Sequence, residues 1–497
     1  MSGFLRYELQ ALNHNLCVTV GKYCDVCFLH KPILSLVRTT IKTLAKIFLI
    51  AIIFISLFGN TSQALPSFAR QLNMQCITCH TEFPVLNEMG RQFKISGYTM
   101  SAESTNLPPI SFMLMPSFTS TRVGQEGGAA PNFSSNNNFA VTQFSAFYAG
   151  RLFGPYASKA FDPSIASVLN KFGIFSQTTY SGVSKTWNWD NTDIRYADSA
   201  NVSSHSLQYG VSLNNNPTVE DLWNTAPAWT FPFSQSGLAP TPAASPVIAG
   251  GLAQQVGGLN FYSMIDGHLY VDIGGYRTLG AKAQTSLGVD PASENKIKGI
   301  APYWRVAYAQ YVGSTYVETG LYGLFGSVYP GNDTSSGTDK FTDIAIDSEI
   351  QTSFEKNDLT YLITLIHEKI NLPASYLLGN SSKKSDTLTT FKATFDYLWN
   401  KSAGGAVQYF YSQGSQDALL YSSSQTGTPN SNGFIVQLNV MPLNLGTGPS
   451  LWPRSNIKLS LQYVAYNRFD GSVRNIDGAG RRASDNNTLY LETWIAF

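Results

Sequence analysis

The stretch FTDIAIDSEIQ, residues 341–351, puts Ile344, Ile346 and Ile350 on one side of an extended chain and Asp343, Asp347 and Glu349 on the other. Alternation with a period of two is the mark of a β-strand with unlike faces. An acidic row backed by isoleucines fits a wall with lipid outside and water inside. The same pattern recurs in NIKLSLQYVAY, where Ile457, Leu459, Leu461, Tyr463 and Ala465 alternate with Lys458, Ser460, Gln462 and Tyr466. The chain ends on NTLYLETWIAF, with Leu489, Leu491, Thr493, Ile495 and Phe497 on one face and Glu492 on the other.

Similar segments start near residues 110, 142, 171, 192, 206, 259, 267, 302, 315, 341, 359, 388, 404, 433, 457 and 488, an even set of sixteen. Between them lie Gly/Asn/Ser/Asp-rich stretches, some long, such as GNDTSSGTDK and SSSQTGTPNSNG. Others are tight, as at Asp266-Gly267, a type I′ hairpin signal. Short turns alternating with long loops are the habit of outer-membrane barrels, whose backbone must be fully paired in lipid and whose edges must close. The competing architecture is a large soluble β-sandwich or propeller. Against it stands a charged content of 13%, about half the usual soluble share, beside an ordinary 43% of hydrophobic residues. The fold class expected is mainly β: a transmembrane antiparallel barrel of about sixteen strands with a short N-terminal α-helical segment in or at the lumen. The net charge of +1 gives no reason to expect a nucleic-acid partner.

The N-terminal region carries export signals. Lys31, Arg38, Lys42 and Lys46 precede the apolar run IFLIAIIFISLF (Ile47 to Phe58), and Ser62-Gln63-Ala64 forms a small-x-Ala site. Cleavage is expected after Ala64, since the run is shorter than the roughly 18 to 20 residues that span a bilayer. Three regions follow: 1–64 as extension and signal peptide, 65–104 as a small helical segment, and 105–497 as barrel, with everything after GRQFKISGY read as barrel wall. Beyond residue 105 there is no cysteine, which suits a chain exported to an oxidising compartment.

Within the second region lies Cys76-Ile77-Thr78-Cys79-His80. Two thiols three apart followed by an imidazole suit attachment of one haem c, with Cys76 and Cys79 as thioethers and His80 as proximal iron ligand. A redox dithiol or half of a zinc site are the alternatives, and a zinc ribbon would need a second ligand pair. For the sixth iron position the mature chain offers His205, His268 and His367, besides methionines. In PPISFMLMPSF, Met113 and Met115 share the face opposite Phe112, Leu114 and Phe118, so both look inward if the Phe/Leu face meets lipid. Met113 is the expected distal ligand and Met115 the runner-up; Met89 and Met100 are expected to pack against the porphyrin. Pro66, Phe68, Phe83, Pro84 and Phe93 supply apolar wrapping, and Arg70, Arg91 and Lys94 are candidates for propionate contacts. His367-Glu368 and the Asp343/Asp347/Glu349 row are expected as polar lining.

The combination of a cleaved signal, ALPSFARQ, CITCH, the FP pair, GRQFKISGY, and a barrel holding NTDIRYA, APYWRVAY and the final SDNNTLYLETWIAF resembles the fused outer-membrane cytochrome-porins of iron-oxidising bacteria. The likeness covers Leu65 to Phe497. It implies an Fe(II) oxidase-type electron-transfer protein that takes electrons from extracellular Fe(II) onto one haem c and passes them to a periplasmic c-type cytochrome or copper protein. The alternative is a diffusion porin with a cytochrome plug, or a relay for another extracellular donor.

Overall fold

The computed structural model describes residues 67–72, 74–100, 109–289, 295–444 and 455–497, all within Ala64–Phe497. The expected signal segment, its cleavage point after Ala64, and Leu65 and Pro66 lie outside the described residues. The alternating segments form β1 (Ile110–Thr121), β2 (Asn138–Arg151), β3 (Phe172–Ser181), β4 (Thr186–Val202), β5 (His205–Asn214), β6 (Val256–Ile265) and β7 (Leu269–Thr278). After a two-residue strip, β8 (Lys296–Ile297), come β9 (Ala301–Val312), β10 (Thr315–Tyr329), β11 (Asp339–Phe354), β12 (Asn357–Asn371) and β13 (Ser385–Trp399). The set ends with β14 (Ala403–Gly414), β15 (Ser431–Val440), β16 (Asn456–Arg468) and β17 (Thr488–Ala496). Apart from β8, each strand pairs antiparallel with its sequence neighbours, and β1 pairs with β17, so sixteen full strands close on themselves. At the seam the Phe112 amide donates to the terminal Phe497 carbonyl at 2.6 Å and the Phe497 amide donates back at 2.9 Å.

The faces divide as the alternation requires. On β11 the carboxylates of Asp343, Asp347 and Glu349 are buried, while Ile344 and Ile346 are exposed at 42% and 45%. Lys458, Ser460 and Gln462 on β16 and Glu492 on β17 point inward in the same way. Outward-facing Leu213, Phe261, Ile273, Leu321, Val407 and Leu438 continue the apolar belt. Asp266 and Gly267, at φ of 53° and 71°, form the expected tight turn, closed by His268 N–H to the Ile265 carbonyl at 2.9 Å. β2 and β4 begin earlier than their periodicity indicates, at Asn138 and Thr186, because polar and aromatic residues extend their ladders past the apolar repeat.

One expectation fails here. Residues 215–255, read as wall, leave the rim between β5 and β6 and fold into the lumen, where Thr218 through Thr225 are almost wholly inaccessible. The inward carboxylates therefore meet protein, not water. Arg305 on β9 is the centre of this packing: its guanidinium donates to Asp221 of the loop at 3.0 Å and to Asp347 of β11 at 2.5 Å, with Glu318 and Glu220 at 3.6 and 3.9 Å. Its flat faces lie near the Trp223 and Tyr322 rings, at 4.9 and 5.3 Å from their centroids. Removing one partner of a buried charge cluster strands the others, at roughly 3–5 kcal/mol. Arg305→Leu is expected to lower the temperature at which the barrel loses its fast, unheated gel mobility by several degrees or to block folding; an unchanged midpoint would show that the cluster does not hold the loop.

Candidate functional site

The second filler of the lumen is the segment that precedes β1. It comprises α1 (Ser67–Leu72), a 3-10 turn at Cys76–Thr78 and α2 (Glu88–Ile95). Its start is tied to the rim where β1 begins and β2 ends: Arg70 donates to the Ile110 carbonyl at 2.5 Å, and Gln71 accepts from the Arg151 amide at 3.2 Å. That rim also carries the tight connections at 203–204, 266–268, 313–314 and 355–356, whereas 122–137, 215–255 and 469–487 leave from the opposite one.

The C-x-x-C-H turn is built by its own backbone, with Cys79 N–H and His80 N–H donating to the Cys76 carbonyl at 3.2 and 3.1 Å. Asn87 then braces it. Its side chain caps α2 by accepting from Gly90 N–H at 3.1 Å and donates to the Thr78 carbonyl at 3.0 Å, while its amide donates to the Cys79 carbonyl at 3.0 Å. Gly90 permits the close approach, since a Cβ there would fall 2.2 Å from the Cys79 oxygen.

His80 lies with its Nδ1 3.0 Å from the Pro84 carbonyl. A carbonyl only accepts, so Nδ1 carries the proton and the Nε2 lone pair is left for a metal. Burial pushes the pKa of this imidazole down to about 4, which keeps it neutral through the physiological range. Burial also pushes the Cys76 thiol up to about 12, with Cys79 adding to the effect, and the Cys79 thiol up to about 11. The two are not joined in a disulfide. Catalytic dithiols depend on a lowered thiol pKa, so this environment opposes the redox-dithiol alternative. Among the described residues there is no group of three or more His, Cys, Asp or Glu placed to hold a metal ion, which leaves a Cys-rich zinc site without its second ligand pair.

Around the turn, Leu72, Phe93 and Tyr98 form an apolar cluster against Phe68, Cys79, Met89 and Met100. Phe68 stacks on Tyr98 at 5.4 Å and meets Phe93 edge-on at 4.7 Å. Met113 and Met115 do face inward, in a second cluster with Trp494, Phe83, Phe147 and Phe233. Phe83 joins the two regions, its ring 5.2 Å from His80 and 5.0 Å from Trp494. The methionine pair thus belongs to the cluster against which Phe83, the ring beside the histidine, is packed.

The other candidates disperse. Arg91 is bound to Glu349 of β11 at 3.0 Å and to the Leu86 carbonyl at 3.1 Å. Lys94 donates to the Asp221 carbonyl at 2.5 Å and covers the Trp229 ring. His205 pairs with Asp266 in an exposed contact, His268 bonds the Ala309 carbonyl at the same rim, and His367 meets Thr389 on the outer face, so only its neighbour Glu368 lines the lumen. Residues that the sequence motif did not indicate are Asn87, Gly90 and Trp494, and the Lys458–Glu82 pair at 3.5 Å beside the Phe83 carbonyl, which accepts from Lys458 at 2.7 Å. Asn87 directly before a helical stretch is a capping signal present in the sequence, and Gly90 and Glu82 lie close to the motif; Trp494 and Lys458 come from chain distant from it.

A closed antiparallel barrel with an apolar outer belt and a polar, protein-filled lumen defines the chain as an outer-membrane β-barrel of porin-like fold. In such barrels short turns face the periplasm and long loops the exterior, which places the plug at the periplasmic end. No family model matches the sequence, and no curated protein does. Among solved structures the chain is similar to the anion-selective porin from Comamonas acidovorans, at 12% identity and a TM-score of 0.40, covering 78% of this chain and 98% of that one. OprB from Pseudomonas putida aligns at 11% identity and 0.42 over 78% and 94%, and the channel DcaP of Acinetobacter baumannii at 8% and 0.40 over 78% and 96%.

Gly90→Ala is expected to force the Cys79 carbonyl away and loosen the braced turn. Faster hydrogen exchange at residues 76–90 with unchanged protection of β1 and β17 would report it; identical exchange in both regions would show that the helix shifts to absorb the methyl group.

Proposed function

We propose that the protein is an outer-membrane electron conduit whose plug holds one haem c through Cys76, Cys79 and His80. The reading is carried by the neutral His80 imidazole, locked at Nδ1 by the Pro84 carbonyl beside two un-ionised, unjoined thiols inside a barrel. When bound, haem c supplies a one-electron iron couple. The chain's own part is to present Nε2 of His80 as ligand and to wrap the site in Phe68, Phe83, Phe93 and Tyr98. Two buried donors of the plug region, Arg91 Nη2 and Trp494 Nε1, have no partner among the described residues, which supports a role for Arg91 at the propionates; Arg70 is the second candidate. Met113 is proposed as the distal ligand and Met115 as its substitute; a thioether in that position raises the potential.

The proposed donor is extracellular Fe(II), from the resemblance of the haem segment, and the proposed acceptor a periplasmic c-type cytochrome or copper protein. A one-electron couple matches Fe(II) oxidation, and the ferric product hydrolyses and precipitates, so the reaction is better done at the cell surface. A second reading, a diffusion porin with a cytochrome plug, draws support from the barrel and from a cavity that remains between loop 215–255 and the wall. Purified protein mixed anaerobically with Fe(II) separates them: the conduit predicts a shift of the Soret and α bands to the reduced form, and unshifted bands would rule out iron oxidation. Open-channel current across a planar bilayer is the matching requirement of the porin.

Cys76→Ala together with Cys79→Ala is expected to abolish haem staining on a denaturing gel while unheated mobility still reports a folded barrel; retained staining would contradict covalent attachment. Met113→Ala is expected to convert a low-spin spectrum to high-spin and lower the potential. A variant that keeps both properties excludes Met113 as ligand.

A further inference from the structure

The cavity left in the lumen measures about 380 Å³ and lies between residues 227–249 of the inward loop and the walls of β12 to β17. Its boundary includes Ser412, near the end of β14, and Thr488, the first residue of β17, both beside the rim of long loops. The loop side contributes Pro227, Pro232, Pro240, Pro242 and Pro246, which bring no N–H donors. Among all the lining residues Lys392 of β13 is the one with a charge.

Lys392 differs from every other lumen cation described above. Arg91, Arg305 and Lys458 each meet a carboxylate, and Lys94 meets a carbonyl. Lys392 has no hydrogen-bond or ion-pair partner among the described residues. In the strand register it faces Thr364 of β12 and Phe410 of β14, and the next residue along that row is Asp347 of β11, two strands and about 10 Å away. Asp347 is already committed to Arg305 and Thr225. Thr390 and Ser412 bring hydroxyl groups to the same cavity. A single uncompensated cation in a low-dielectric recess focuses potential onto a small volume and favours an anion there.

We propose that Lys392 is the binding residue of a small-anion site in the outward half of the lumen, taking a carboxylate or an oxyanion through its ammonium group, with the Thr390 hydroxyl as a further donor. The site goes beyond the electron-conduit reading and stands whether or not the plug carries haem. It also makes this vestibule a poor route for a free divalent cation, since no carboxylate lines it.

The test is isothermal titration of sulfate, and separately of acetate, into the full-length protein in detergent at constant ionic strength. Wild type is expected to show saturable one-site binding to at least one of the two, Lys392→Gln to weaken it on the order of tenfold or more, and Lys392→Arg to retain it. Equal affinity in wild type and Lys392→Gln, or no saturable binding of either anion by wild type, would overturn the site. Should Lys392→Gln fail to show barrel mobility on an unheated gel, acylation of Lys392 in the unmodified protein, followed by peptide mass spectrometry, decides the matter: the binding anion slows the modification several-fold if the site exists, and an unchanged rate refutes it.

Discussion

Every backbone N–H and C=O in the wall must find its partner inside the protein, because hydrocarbon offers none. At the seam between β1 and β17 that requirement is met by strand pairing and by the reciprocal bonds of Phe112 and Phe497. From closure the rest follows. Strands that bond sideways all the way round leave only two surfaces for side chains, and the outer one belongs to lipid. All the charge the wall carries at mid-depth therefore points inward, as Asp343, Asp347, Glu349, Arg305 and Lys458 do.

A sixteen-stranded wall encloses more space than its own side chains fill. Here two pieces of chain occupy it, one before β1 and one between β5 and β6. Buried ion pairs are weak evidence for stability, since desolvation offsets much of their attraction. They do assign position. Arg91 to Glu349, Lys458 to Glu82 and Arg305 to Asp221 each join a filler to a different part of the wall, so the plug has one seat and the C-x-x-C-H turn one orientation in it. The Leu86 amide, which donates to Asn224 at 3.0 Å, joins the fillers to each other.

The wall was legible because two unlike solvents write a period of two into the chain, and all sixteen long strands lie where that period is found. The inward orientation of Met113 and Met115 followed from the same parity. Loop 215–255 escaped because its burial comes from surrounding strands on all sides, not from a repeating face; NNNPTVEDLWNTAPAW has polar and aromatic residues in no fixed phase. The lumen aromatics Tyr270, Tyr303 and Tyr322 worked against a simple reading too, being bulky and buried on the side expected to be wet. In the site, the C-x-x-C-H spacing was visible in five residues. The tautomer of His80 was not, since it depends on a bend that returns the Pro84 carbonyl to the ring, and neither were Glu349 beside Arg91 and Asp221 beside Lys94, which come from chain more than a hundred residues away.

The plug lies upstream of the first strand and is enclosed by all sixteen. Its contacts reach β1, β2, β4, β6, β11, β15, β16 and β17, so no single hairpin can hold it alone. The plug's seat is therefore a property of the closed ring: it exists only when strands from both ends of the chain stand side by side around it.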